Sequence, residues 1–167
     1  ILNANGALEF FEFRGKRSFM RQQPGVADIL EAGADREDEW NFELGADYEF
    51  GLGGGRLKLI GFHRFEHSPF ENLFRITPSD GSLESGQRFN QVIDERESVL
   101  RAEYRWKAGQ TDWQISAEGA FNYLDADSEF FRLDNTGVFQ PVPLPNATAR
   151  VEEKRGQVIL SYGRPIA

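Results

Sequence analysis

The sequence predicts an all-β fold: an antiparallel, up-and-down meander of about six long strands, forming an open segment of a transmembrane β-barrel. Three observations predict it. Apolar and polar residues alternate over runs long enough to cross a bilayer, short and long breaks follow one another in turn, and cross-strand pairings match on both faces at once.

The clearest run is Trp40 to Phe50. Trp40, Phe42, Leu44, Ala46, Tyr48 and Phe50 alternate with Asn41, Glu43, Gly45, Asp47 and Glu49. A period of two fits a strand with two unlike faces and no helix. Ordinary strands average about 5–6 residues, whereas a tilted strand needs about 9–11 to cross a membrane. The glycine-rich break Gly51 to Gly55 leads into a second run, where Leu57, Leu59, Gly61, His63 and Phe65 alternate with Lys58, Ile60, Phe62, Arg64 and Glu66. After Pro69 the pattern fades, and Thr77 to Glu95 reads as a long polar loop.

The next clean strand is Ser98 to Lys107, with Leu100, Ala102, Tyr104 and Trp106 opposite in sense to Arg101, Glu103, Arg105 and Lys107. After the short break Ala108 to Thr111, Trp113, Ile115, Ala117, Gly119, Phe121 and Tyr123 alternate with Gln114, Ser116, Glu118 and Asn122. Asp125 to Thr148, with three prolines, reads as another long loop, and a last strand spans about Val151 to Tyr162. A weaker first strand covers about Ala7 to Phe13, followed by a loop from Arg14 to Asp38. Because each strand reverses direction, all short turns fall on one side and all long loops on the other. Outer-membrane barrels have this asymmetry.

Register is an independent check. A turn at Leu52 to Gly55 sets Phe50 against Leu57 and Tyr48 against Leu59, and on the other face Glu49 against Lys58 and Glu43 against Arg64. A turn at Ala108 to Thr111 sets Trp106 against Trp113, Tyr104 against Ile115, Lys107 against Asp112 and Arg101 against Glu118. Each matched pair is worth about 0.2–1 kcal/mol, and a slip of one residue would mix the faces. Phe42, Leu44, Tyr48, Leu100, Ala102, Tyr104, Ile115, Ala117 and Phe121 are therefore expected to face lipid. Glu43, Asp47, Glu49, Lys58, Arg64, Arg101, Arg105 and Glu118 are expected to line the lumen. Phe50, Trp106 and Trp113, flanking the short turns, are expected to form an interfacial girdle.

Composition narrows the function. A net charge of −8 argues against a nucleic-acid binder, which needs a basic surface. The absence of cysteine excludes disulfides and thiolate metal sites. No apolar run reaches the length of a transmembrane helix. His63 and His67 lie about 13 Å apart on an extended strand, too far to share a metal. No nucleophile-elbow or phosphate-loop pattern occurs, so neither catalysis nor a cofactor is expected. Asp125, Asp127 and Glu129 could gather oxygens around calcium, but read better as a solvated loop. Arg14, Lys16, Arg17 and Arg21 form a basic cluster that could pair with lipopolysaccharide phosphates. Asn146-Ala147-Thr148 matches a glycosylation sequon and reads as chance. The chain starts without methionine or a signal peptide and stops at Arg164-Pro165-Ile166-Ala167 rather than on the aromatic residue usual for such barrels. Both ends read as cuts, so residues 1–167 are expected to be part of a larger barrel. Six strands cannot close, since bacterial barrels begin at eight.

Leu30 to Trp40, the strand Asn41 to Phe50, Gly55 to Gly61, Ala102 to Trp106 and Trp113 to Ala120 resemble barrel segments of TonB-dependent receptors. The resemblance covers most of the chain from about Leu30 onward and rests on strand texture. It implies a 22-stranded barrel in the outer membrane of a Gram-negative bacterium, taking up a siderophore, vitamin or carbohydrate. It also implies, as partners, TonB and a plug domain, neither of whose signatures occurs in this chain, together with outer-membrane lipid and lipopolysaccharide. A segment of a passive porin-type channel and a soluble β-sheet ligand-binding protein are the alternatives.

Overall fold

The computed structural model describes residues 1–164; Pro165-Ile166-Ala167, read above as a cut end, lie outside the described residues. The chain forms β1 (Leu2–Arg21), β2 (Ile29–Leu52), β3 (Gly55–Pro78), β4 (Ser85–Ala108), β5 (Thr111–Leu133), β6 (Phe139–Val142) and β7 (Thr148–Gly163). They make one antiparallel sheet in which each of β1 to β5 pairs with its successor, and β6 and β7 both pair with β5. The sheet is not closed: β1 and β7 stand at its two edges among the described residues.

The expected registers hold at every pair named above, including Phe50 with Leu57, Glu43 with Arg64, Trp106 with Trp113 and Arg101 with Glu118. The short turns are two-residue links. Gly53 and Gly109, their first central residues, have φ of 56° and 63°, the left-handed region that an L side chain enters only at a cost.

The strands are far longer than expected. β2, β3 and β4 each run 24 residues, roughly 80 Å at about 3.3 Å per residue. The segments 14–38, 77–95 and 125–148 are mostly strand, and the connections on that side shrink to 22–28, 79–84 and the stretch around β6. Side-chain pairing across the strands explains the difference. Arg14 bonds Asp38, Arg17 bonds Asp35, Arg21 bonds Glu31, and Asn72 donates to Asp35. These links hold a ladder where neither face is uniformly apolar, so the hydropathy pattern vanishes while the strand continues. The asymmetry of the two sides survives in a new form, with two-residue turns at one end and long polar strand extensions at the other.

The expected sixth strand is broken in two. Phe130 pairs with Val142 while Asp127 pairs with Thr148. The extra chain loops out at residues 143–147, where Pro143 and Pro145 lack the amide hydrogens a ladder needs. Asn146 takes a φ of 56° there.

Candidate functional site

The registers sort the side chains into two faces. Across the sheet, one face carries Leu8, Phe42, Leu59, Ala102, Ala117 and Val158 among its apolar members, and the other carries the charges. The residues expected to face lipid all lie on the apolar face, and those expected to line the lumen all lie on the polar one. Tyr104 and Phe121 share a face, since Phe121 pairs with Ser98 of the same parity as Tyr104.

Exposure runs opposite to a soluble protein. Leu44, Leu100 and Val158 are 56%, 67% and 70% exposed, while Asn41, Glu103 and Ser116 are 8%, 6% and 4% exposed. Carboxylates such as Glu103 and Glu118 are covered by the arginines that reach them, and the side chains of Arg56, Arg105 and Arg155 remain more than half exposed.

The polar face is an ion-pair network. Glu103 accepts from Arg101 and Arg105, both at 2.8 Å. Glu118 lies 3.6 Å from Arg101 and 3.3 Å from Arg155. Arg64 reaches Glu43 at 3.6 Å and Glu66 at 2.6 Å. One expected pairing is redistributed. Glu49 and Lys58 are register partners, but Glu49 bonds Arg56, and Lys58 reaches diagonally to Asp47 at 3.3 Å. The diagonal neighbour lies within reach of a long side chain, so backbone register does not fix which carboxylate a lysine chooses. Glu103, Arg56 and Arg155 belong to this network although sequence reasoning left them out of the wall. For Glu103, between Ala102 and Tyr104, alternation with apolar neighbours was the available signal; Arg155, between Lys154 and Gly156, had none.

Aromatic rings mark both ends of the apolar band. At the short-turn end Trp106 and Trp113 stack at 6.1 Å, Tyr104 joins Trp106 at 5.5 Å, and Tyr162 adds to Trp113 at 5.6 Å. Tyr48 stacks on Phe50 at 5.3 Å. Gly55 makes room for this cluster: a Cβ there would run into the Arg105 carbonyl and the Tyr104 ring. A second ring cluster, not foreseen, closes the far end, where Trp40 meets Phe65 at 5.1 Å and His67 at 5.9 Å. From Trp40 to Phe50 is roughly 33 Å along the strand, or about 25 Å in height at a tilt near 40°.

Beyond Trp40 the polar face continues into a zone of rings and amides. Phe70, Asn72 and Phe74 of β3 share that face with Phe89 and Gln91 of β4 and with Phe130 of β5, and Gln91 donates to Ser128 at 3.1 Å. Phe89, Gln91 and Phe130 fall in segments that read from sequence as loop, and Phe70, Asn72 and Phe74 in the stretch after Pro69 where the alternation fades.

The minor candidates resolve individually. His63 bonds Ser98 at 2.9 Å and His67 bonds Asp94 at 2.7 Å, each on its own cross-strand partner. Asp125, Asp127 and Glu129 lie on strand rather than in a loop. They accept from Tyr123, Thr148 and Asn90 respectively. No acidic or histidine group among the described residues is arranged to hold a metal. The Arg14, Lys16, Arg17 and Arg21 cluster is not a loop either. Alternation on β1 puts Arg14 and Lys16 on one face and Arg17 and Arg21 on the other, and its three arginines are engaged by carboxylates. The chain matches no protein-family model, and no curated protein is significantly similar to it.

Proposed function

We propose that this chain is part of the wall of an outer-membrane transport barrel of the TonB-dependent receptor type, one that takes up a siderophore, vitamin or carbohydrate. The carrying observation is the pattern of exposure: large apolar side chains of one face stand open, while the buried polar residues Asn41, Glu103 and Ser116 all lie on the other. In water that arrangement leaves large apolar side chains such as Leu100 and Val158 exposed across the whole sheet. In a bilayer it is the expected one, with lipid against the apolar band and a polar lumen inside. The band's height, near the roughly 25 Å of such barrels, and the ring clusters at both ends support the same reading.

Two further features favour a receptor over a passive pore. The strands continue well past the band as a polar extension, which gives a ligand a deep approach. On its inner face, Phe70, Phe74, Phe89 and Phe130 beside Asn72 and Gln91 offer stacking surface and neutral hydrogen-bonding groups together. That combination suits a ligand with rings or sugar faces and polar edges. Closure of the barrel, a plug and the contact with TonB would come from chain outside these residues.

The test is uptake by cells carrying the intact protein. Energised transport stops when a protonophore collapses the proton gradient. Uptake that continues by diffusion would favour a porin-type channel. A protein that stays soluble and monomeric without detergent would end the membrane reading altogether.

A further inference from the structure

We propose that the apolar face carries a binding site for the phosphate of a lipid headgroup, built from Arg96 and Lys154 at the rim of the band; the proposal rests on the membrane reading above. Three successive cross-strand rows define the place. The first is His63–Ser98–Phe121–Lys154, the second Phe65–Arg96–Tyr123–Glu152, and the third His67–Asp94–Asp125–Arg150. The row beneath them, Gly61–Leu100–Gly119–Gly156, is wholly uncharged and belongs to the band. Arg96 and Lys154 are thus the first cations met on leaving the apolar surface.

These cations rest on rings. The Arg96 guanidinium lies 5.2 Å from the Phe65 ring and 5.5 Å from Tyr123. Arg150 lies 4.8 Å from Tyr123 on its other side, and the Lys154 ammonium 5.7 Å from Phe121. Ring faces hold cations at an interface without neutralising them. The neighbouring carboxylates are occupied: Asp94 by His67, Asp125 by the Tyr123 hydroxyl, and Glu152 by Arg150 at 3.5 Å. Neither Arg96 nor Lys154 has a carboxylate partner among the described residues. Both are exposed, so each can turn toward a headgroup.

Directly below, the apolar face is recessed. Ala102, Ala117, Gly119 and Gly156 form a shallow groove between Leu100 and Val158. An acyl chain laid in that groove would bring its phosphate to the height of Lys154 and Arg96. Apolar groove and unneutralised cations in this order select an amphiphile with an anionic head, which a free anion in solution is not. The basic cluster of β1 offers no such arrangement, since its arginines are already paired.

The test uses the intact protein in detergent, titrated with phosphorylated lipid A and with its dephosphorylated form, and read by native mass spectrometry. Wild type should retain the phosphorylated lipid preferentially. Each cation near such a surface is worth about fivefold in affinity, so the Arg96→Ala/Lys154→Ala double variant should bind roughly thirtyfold more weakly. Arg96→Lys should keep most of the affinity, and Gly119→Leu, which fills the groove, should lower it. Arg17→Ala should change nothing, and an excess of inorganic phosphate should leave the lipid bound. Equal binding by wild type and the double variant would overturn the site, as would complete displacement by inorganic phosphate. If wild type folds into zwitterionic vesicles but shows no phosphate preference, the site alone fails. If wild type enters no vesicle, the membrane reading fails and the site with it.

Discussion

Leu44→Arg is the sharpest perturbation of the proposed lipid face. Leu44 lies six residues from Phe50 and four from Trp40 along β2. At about 3.3 Å per residue and a tilt near 40°, it sits roughly 15 Å above the level of Phe50 and about 10 Å below that of Trp40. It is thus close to the middle of the band. An arginine there should destabilise the folded barrel by about 2–4 kcal/mol. Were this face bathed in water, the same change at a residue 56% exposed should fall within about 0.5 kcal/mol of neutral. Leu57 provides the internal control. It shares the face but pairs with Phe50 beside a short turn, where the penalty should drop to about 0–1 kcal/mol. The assay is denaturant titration of the intact barrel folding into lipid vesicles, with all three proteins measured at one lipid composition. Equal cost at Leu44 and Leu57 would refute the depth argument, and negligible cost at both would refute the lipid face.

Four other outcomes are expected. Glu103→Gln should cost about 1–3 kcal/mol in the same titration, because it weakens the bonds of both Arg101 and Arg105 to a covered carboxylate. Arg105→Ala, with the arginine largely exposed, should cost under about 1 kcal/mol. Gly55→Ala should slow or destabilise folding markedly, since its Cβ meets the Arg105 carbonyl. Gly54→Ala, with open space around it, should stay near neutral in the same refolding assay. Cysteines placed at Gln91 and Ser128 should cross-link readily far above the band, whereas Gln91 with Asp127, on opposite faces, should not; the reverse result would return this region to loop. Asp134 accepts from the Thr136 amide at 2.8 Å, its hydroxyl at 2.6 Å, the Val138 amide at 3.0 Å and Gln140 at 2.9 Å. These donors hold its carboxyl well below the usual carboxylate range. A depressed value means the contribution is present above the ordinary carboxylate pKa and lost as pH falls through the folded one. Amide exchange at Thr136 and Val138 should therefore remain slowed by the Asp134 carboxylate at mildly acid pH in wild type, and be faster than wild type at each such pH in Asp134→Ala.

How much of this was legible in the sequence depended on what each stretch of strand faces. Between Trp40 and Phe50, hydropathy alone specified strand, face and partner, because one side is apolar at every second residue and a slip would expose every charge. The same held for Leu100 to Trp106 against Trp113 to Gly119. Past Trp40 in the other direction, Leu30 to Glu39 carries Glu31, Asp35, Arg36, Glu37 and Asp38 on alternating sides. No hydrophobic period marks it, so it read as loop. The information was present in another form, since the register that sets Phe50 against Leu57 also sets Arg36 against Glu71 and Asp35 against Asn72. Extending the register test from the clean strands into the polar ones would have found it. The rim cations were hidden for a different reason: Arg96 and Lys154 acquire meaning only when four strands set them beside Phe65, Tyr123 and Phe121.

The architecture also constrains how the chain can be stable. Ala120 and Leu133, 8% and 7% exposed, are the buried apolar residues among those described, which is far too little to drive folding in water. β1 and β7 are exposed along nearly their whole lengths and present unpaired ladder edges. On the proposed membrane reading each unpaired backbone group would cost several kcal/mol in hydrocarbon, so the edges would require further strands as firmly as the apolar face would require lipid. The polar network cannot substitute for either. Its pairs are mostly part-exposed and individually worth under about 1 kcal/mol. On the same reading their contribution is selective rather than cohesive: they would penalise slipped registers while bilayer and neighbouring strands would supply the driving force. On that division of labour, Glu43→Gln, which weakens the part-exposed pair with Arg64, should broaden the range of registers trapped by cross-strand cysteine cross-linking during insertion before it lowers the stability of the finished barrel.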